Sequence, residues 1–362
     1  MLLSTLGVLA ALTFNPEDPL DPAYDWFDCS EAAALEGRAF PGVAAPYARI
    51  PEKFRAALPE KAWTEAQTAI GFAIRFTTDS DAIKCRWDYP AYPAPPHHWS
   101  MMSHAGINVY SRRPGQDKWR VVGYWSSGSL RYPGTKKDYG YGGAAHISWR
   151  PGDEVLIYLP CHVQPVNFAF GVKKGKTIKR DRPHAVAKPV VMYGGAAVNG
   201  IEVSRPGMVL TSLISRLADV EVANLGLNGA AMEEPMADVL AASDASLYVI
   251  ACENDMTVEQ VKANYEKFLK RLSALKPDTP VLLVGAYTIE EGVSDTEKCA
   301  RAIFEKLKKA DPAKFAQYHY LPGAGLLPKS DDALMDGVHP NDHGFMCMAP
   351  VLADAIKKIL VK

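Results

Sequence analysis

The hydrophobic period of this chain changes once, near Lys188, and that change constrains its fold more than any other feature. Before it, apolar and polar residues alternate in short runs at 71–78, 82–89, 106–110, 119–125, 154–159 and 167–172. The runs are rich in β-branched and aromatic residues and bounded by Gly, Pro and Asp, as half-buried strands are. No amphipathic helix separates them, apart from a short helical stretch at 51–58, so the expectation is a β-sandwich or jelly roll. After it, buried apolar runs at 190–193, 220–224, 246–252, 280–285 and 318–321 alternate with helix-spaced segments at 206–217, 236–242, 257–275, 295–310 and 344–360. Strands alternating with helices make a parallel sheet covered on both faces. The predicted fold class is therefore α/β with an N-terminal β-sandwich: sandwich at 15–180, linker at 181–189 carrying two prolines, and α/β domain at 190–362.

Charge and cysteines remove several function classes. Lys+Arg number 40 against Asp+Glu 41, a net charge of −1, so the basic footprint of a nucleic-acid binder is missing. Hydrophobic residues at 48% suffice for two cores. Residues 1–14 form an apolar run too short to span a membrane. The run has the character of a secretory signal with small residues at Ala10 and Ala11, which predicts a secreted or periplasmic protein; otherwise it is a tail on a cytoplasmic one. No membrane partner is expected. The six cysteines stand singly without metal-ligand spacing, so neither a structural zinc nor any other cofactor is expected. A disulfide among Cys29, Cys85 and Cys161 stays open.

Parallel sheets place ligands at the carboxyl ends of their strands. There the sequence carries a Gly-rich turn at 193–200, a second loop at 224–229, Cys252-Glu-Asn-Asp255, and a block at 336–344 containing Asp336 and His339. A carboxylate three residues before an imidazole can fix its tautomer and leave the other nitrogen as general base. A capping turn is the plain alternative for that pair alone. Gly229 offers a backbone donor and Asn254 a side-chain donor from neighbouring strand ends, which is what an oxyanion hole needs. Trp99, among Trp87, Tyr89 and Tyr92, suits a sugar-stacking wall or ordinary packing. Arg205 is a candidate substrate contact, and Ser204 is expected to cap the helix at Pro206. His97 and His98 read as loop residues, and His343 as solvent-facing.

The order Gly-turn, Asn-x-Gly-x-x-Gly, x-x-Asn-Asp and Asp-x-x-His resembles the SGNH (GDSL-type) hydrolases. Ser204-Arg-Pro-Gly-Met208, Asn224-Leu-Gly226 and the block from Asp336 to Phe345 resemble a subfamily that joins a β-sandwich to a GDSL-type domain. Gly106-Ile-Asn-Val-Tyr110 is similar to that sandwich's Gly-x-Asp-Leu-Tyr signature, with Asn for Asp and Val for Leu. The resemblance implies a flavodoxin-like three-layer α/β/α domain and serine ester hydrolysis without a metal. It places the nucleophilic serine at Ala196, the oxyanion donors at Ala196, Gly229 and Asn254, and the Asp and His at Asp336 and His339. A one-residue slip in the third block would put Asp255 at the asparagine position.

Gly195, Ala197, Val198 and Asn199 also depart from the family's usual Thr, Ile, Thr and Gln. Two functions follow. One is an ester hydrolase acting on a small molecule or glycan ester, as a carbohydrate O-acetyl esterase does, disabled by replacement of its serine. The other is a natural pseudoenzyme that binds a glycan or ester in the same pocket. A third treats the sandwich as the glycan-binding part. The sequence leaves the oligomeric state open.

Overall fold

A computed structural model describes residues 20–29, 35–40, 43, 47–89, 96, 98–125, 139–141, 150–165, 167–180 and 183–360. The apolar segment at 1–14 and His97 lie outside the described residues. Among the latter, the first half of the chain holds strands β1 (Tyr24–Asp28), β2 (Leu35–Glu36), β3 (Ala73–Thr78), β4 (Ile83–Asp88), β5 (Ile107–Arg112), β6 (Arg120–Trp125), β7 (Tyr139–Tyr141), β8 (Glu154–Tyr158), β9 (Asn167–Lys173) and β10 (Ile178–Lys179). They form one antiparallel sheet in the order β1-β9-β4-β7 and a second in the order β10-β3-β8-β5-β6, with β2 beside β3. The two sheets share a core in which Phe76 stacks on Phe170 at 4.7 Å and Trp87 on Phe168 at 5.4 Å. Offset aromatic pairs at such spacing stabilise beyond their buried area. Two short helices join them, α1 (Glu60–Ala66) and α2 (Met101–Ala105).

The second half is built on a parallel sheet of β11 (Val190–Gly194), β12 (Val222–Gly226), β13 (Leu247–Ala251), β14 (Val281–Val284) and β15 (Tyr318–Leu321). Its order β12-β11-β13-β14-β15 is flavodoxin-like, with the direction of winding reversing between β11 and β13. The helices are α3 (Ala196–Asn199), α4 (Leu210–Ala218), α5 (Glu234–Ala241), α6 (Val258–Gln260), α7 (Glu266–Leu275), α8 (Asp295–Ala310) and α9 (Asp342–Leu360). Apolar side chains of α4 and α9 cover one face of the sheet, and those of α5, α7 and α8 the other. The strands are buried on both sides, which is why they read as continuous apolar runs. No helix among the described residues is long and apolar enough to cross a membrane. All six cysteines are free, so no disulfide joins Cys29, Cys85 and Cys161; burial pushes the Cys85 thiol up to about 12.

The domains meet over buried polar surface. A Cβ on Gly207 would lie 2.4 Å from the Tyr110 ring and 2.5 Å from Asn108 Oδ1, so the Ser204–Met208 segment fits against the sandwich's signature strand only as glycine. Tyr158 donates its hydroxyl to the Ser212 carbonyl at 3.1 Å. Glu154 binds Arg75 at 2.6 Å and Arg112 at 2.7 Å, and Arg112 reaches across to Asp219 at 3.2 Å.

Candidate active site

The carboxyl ends of β11 and β13 flank the crevice where the winding reverses, and the ligand site of such a sheet is expected there. β11 runs into Gly195 and then α3, whose first residue is Ala196, buried with its methyl group where the resemblance puts a hydroxyl. β13 runs into a tight 3-10 turn, Glu253–Asp255. Successive side chains on a 3-10 turn point about 120° apart, so only one of its residues faces α3.

That residue is Asp255. Its Oδ1 accepts the Ala196 backbone N–H at 2.9 Å. A Cβ on Gly195 would fall 1.9 Å from the Asp255 carboxyl carbon, so a side chain at 195 and this carboxylate exclude one another. Burial pushes the Asp255 carboxyl above its ordinary value; the N–H groups of Ala196 and Gly229 and the His339 ring pull it back only in part. The same turn sets Asn254 beside Tyr287. Its amide donates to the Tyr287 carbonyl and accepts the Tyr287 N–H, both at 2.9 Å, on the exposed side. Gly229 sits in a left-handed conformation, φ 81°, with open space where a Cβ would be.

Asp336 and His339 are brought together. His339 Nδ1 lies 2.7 Å from Asp336 Oδ2, and the His339 backbone N–H donates to Asp336 Oδ1 at 2.8 Å. Partial burial opposes ionisation, yet the N–H groups of His339 and Val338 and the imidazole hold the Asp336 carboxyl at about 2. An ionised carboxylate only accepts, so Nδ1 carries the hydrogen of this bond. The plain capping turn and the dyad coexist here: Asp336 caps the turn with one oxygen and orients the ring with the other.

Sequence reasoning passed over Glu65 on α1. Its Oε2 accepts the Asn228 N–H at 2.6 Å, beside Gly229. Burial raises its carboxyl, and the Asp255 charge raises it further against Asn228, Arg49 and Lys61. No motif marks it, because it comes from a short helix far away in sequence.

The remaining candidates take other roles. Trp99 packs its ring 4.3 Å from His162, which is hydrogen-bonded to the backbone of Gly200 just beyond α3. Burial and the nearby His104 and Arg49 hold His162 neutral, down at about 3. Ser204 does not cap the turn at Pro206; its hydroxyl and N–H both go to Asp342. Arg205 donates to Ser204 Oγ at 3.0 Å and lies 3.6 Å from Asp342, so its Nη1 ties this segment to the start of α9. His343 is exposed.

Comparison with known proteins agrees with this architecture. Residues 187–360 match the GDSL-like lipase/acylhydrolase family, and residues 24–178 match the GxDLY domain, the N-terminus of SGNH-hydrolase-type esterases. No curated protein matches the chain. Among solved structures, a GDSL-like lipase from Bacteroides ovatus ATCC 8483 is 24% identical over 92% of this chain and 97% of its own, with a TM-score of 0.77. The salicylyl-acyltransferase SsfX3 of a tetracycline biosynthetic pathway is 17% identical over 95% of this chain and all of its own (100%), with a TM-score of 0.69. A family two carbohydrate esterase from Cellvibrio japonicus is 10% identical over 80% and 89%, at 0.53. At these identities the structures share the fold. The α/β domain of this chain belongs to the GDSL-like lipase/acylhydrolase family, and its β-sandwich is the N-terminal domain that precedes such esterase domains.

Proposed function

We propose that this chain is an esterase-fold protein that has exchanged ester hydrolysis for ligand binding, in the pocket its relatives use for catalysis. One observation carries the reading: the Asp255 carboxylate lies on the Ala196 N–H at 2.9 Å, over a glycine at 195 that leaves it room. A tetrahedral intermediate needs donors aimed at its developing negative charge. Here the Asp255 carboxyl group already occupies the Ala196 N–H, which leaves that donor no hydrogen for the developing charge. Ala196 supplies no hydroxyl to form an acyl-enzyme. The departures at 195 and 196 leave room for the Asp255 carboxylate, and with those at 197, 198 and 199 they favour a natural change of the whole loop over one substitution. Carbohydrates are the ligand class we favour, since a carbohydrate esterase shares the fold.

The retained hydrogen bond between His339 and Asp336 favours the second reading, a carbohydrate O-acetyl esterase disabled only at its nucleophile. Hydrolysis of acetylated glycans and aryl acetates separates the two. We expect the unmodified chain and Ala196→Ser to stay at background, and Ala196→Ser with Asp255→Asn to gain His339-dependent activity. Full activity of Ala196→Ser alone would establish the disabled esterase instead.

A further inference from the structure

We infer that the site receives a primary ammonium group, carried by a small hydroxylated molecule such as an amino sugar, with the cation against Asp255. The inference rests on the binding reading above and names its ligand. An ester site offers donors to a carbonyl oxygen; this one offers acceptors. The Ala196 N–H is spent on Asp255 Oδ1, so a carboxylate stands where a donor would be needed. Glu65 brings another carboxylate from the sandwich side, hydrogen-bonded at Asn228 and within the electrostatic reach of Asp255.

Among the described residues, backbone N–H groups and the His339 ring are what faces the charge at Asp255. Among the described residues no lysine or arginine pairs with it; it meets the N–H groups of Ala196 and Gly229 and the His339 ring. Arg49 is the nearest buried cation on the Glu65 side, and its Nη atoms are given to Asn224, to the Gly226 carbonyl at 2.8 Å and to the Glu65 carbonyl at 2.6 Å. Tyr287 lies in the field of both Asp255 and Asp336, and burial with those charges keeps its phenol protonated. A half-buried carboxylate held by backbone donors prefers a cation that it can pair and hydrogen-bond. A metal ion is the poorer fit: among the described residues no three His, Cys, Asp or Glu side chains are gathered as a metal would need. An ammonium needs only acceptors, and the Asp255 and Glu65 carboxylates supply them.

Calorimetric titration of the full chain with glucosamine, N-acetylglucosamine and glucose tests this. Glucosamine is expected to bind about tenfold more tightly than the other two, the scale of one charge-assisted contact. Asp255→Asn should erase that preference, and Glu65→Gln should reduce it while folding normally by circular dichroism. Equal affinities for the three sugars, no binding of glucosamine, or a preference that survives Asp255→Asn would overturn the inference. Ester hydrolysis by the unmodified chain would overturn the underlying binding reading instead; absence of both hydrolysis and amine preference would remove the ammonium alone.

Discussion

Asn254 and Tyr287 clasp one another through two 2.9 Å hydrogen bonds, amide to backbone, and so join the loops that follow β13 and β14. Asn254 is thereby a positioning residue for the turn that aims Asp255 at Ala196. Asn254→Ala is expected to cost about 1 kcal/mol of stability, the usual net worth of such bonds at an exposed site. It should loosen the turn without supplying or removing a group at the pocket. Urea unfolding measures the first effect. A large loss of hydrolysis on adding Asn254→Ala to the Ala196→Ser, Asp255→Asn double variant would restore the oxyanion role to Asn254.

Asp255 sets how far the site can be revived. Losing one oxyanion donor costs other serine hydrolases roughly 10²–10³ in turnover, and losing the nucleophile roughly 10⁶. With serine restored, replacing the Asp255 carboxylate by a neutral amide should raise aryl acetate hydrolysis by about 10² or more. Steady-state rates of the single and double variants check it, and a difference within a factor of about two would show that the carboxylate moves aside.

Glu253 gives a pH signature that has nothing to do with catalysis. Burial pushes its carboxyl from an ordinary 4.5 up to about 8, with Glu297 adding to the rise against hydrogen bonds from Tyr265 and Tyr320. The folded protein keeps a proton that the unfolded chain releases. Stability is therefore highest below about pH 4.5 for this group, falls as pH rises through its folded value near 8, and then levels. Glu253→Gln should flatten that fall, by an amount on the order of a few kcal/mol. Denaturant midpoints of both proteins across this range provide the test, and parallel curves would refute it.

Gly207 should be irreplaceable for a reason that lies in the other domain. Its Cβ position is 2.4–2.5 Å from Tyr110 and Asn108. Tyr110 cannot retreat freely, because the Arg216 guanidinium stacks on its ring at 4.1 Å. Gly207→Ala is expected to destabilise by about 1–3 kcal/mol through overpacking. A thermal melt shows it, and an unchanged midpoint would mean that the interface yields.

The sheet of the α/β domain was legible because its strands are buried on both faces and its helices are long enough to show their period. The segments β1, β2, β7 and β10 were not read, nor were α1 and α2. β2, β7 and β10 have two or three residues and the helices five to seven, too few to display a period, and β1 breaks its alternation at Trp26-Phe27. The Asp336–His339 pair was legible because its geometry is local, three residues of one turn. Which of Asn254 and Asp255 faces inward was not, since the phase of a tight turn is decided by contacts far along the chain: the space at Gly195 and the backbone of Tyr287. Nothing in sequence reveals Asp342 beside Arg205, since the two are brought together only by the fold.

The buried charges between the domains bear on how a ligand enters. Arg75 lies 3.5 Å and Arg112 3.2 Å from Asp219, while both guanidiniums grip Glu154 within the sandwich. A swing that parted the domains would strip Asp219 from two arginines at once, although both would keep Glu154. The sandwich and the α/β domain are thus welded rather than hinged. Parting the domains would have to break both contacts to Asp219 together, so the walls that the sandwich and the α/β domain lend to the site keep one spacing.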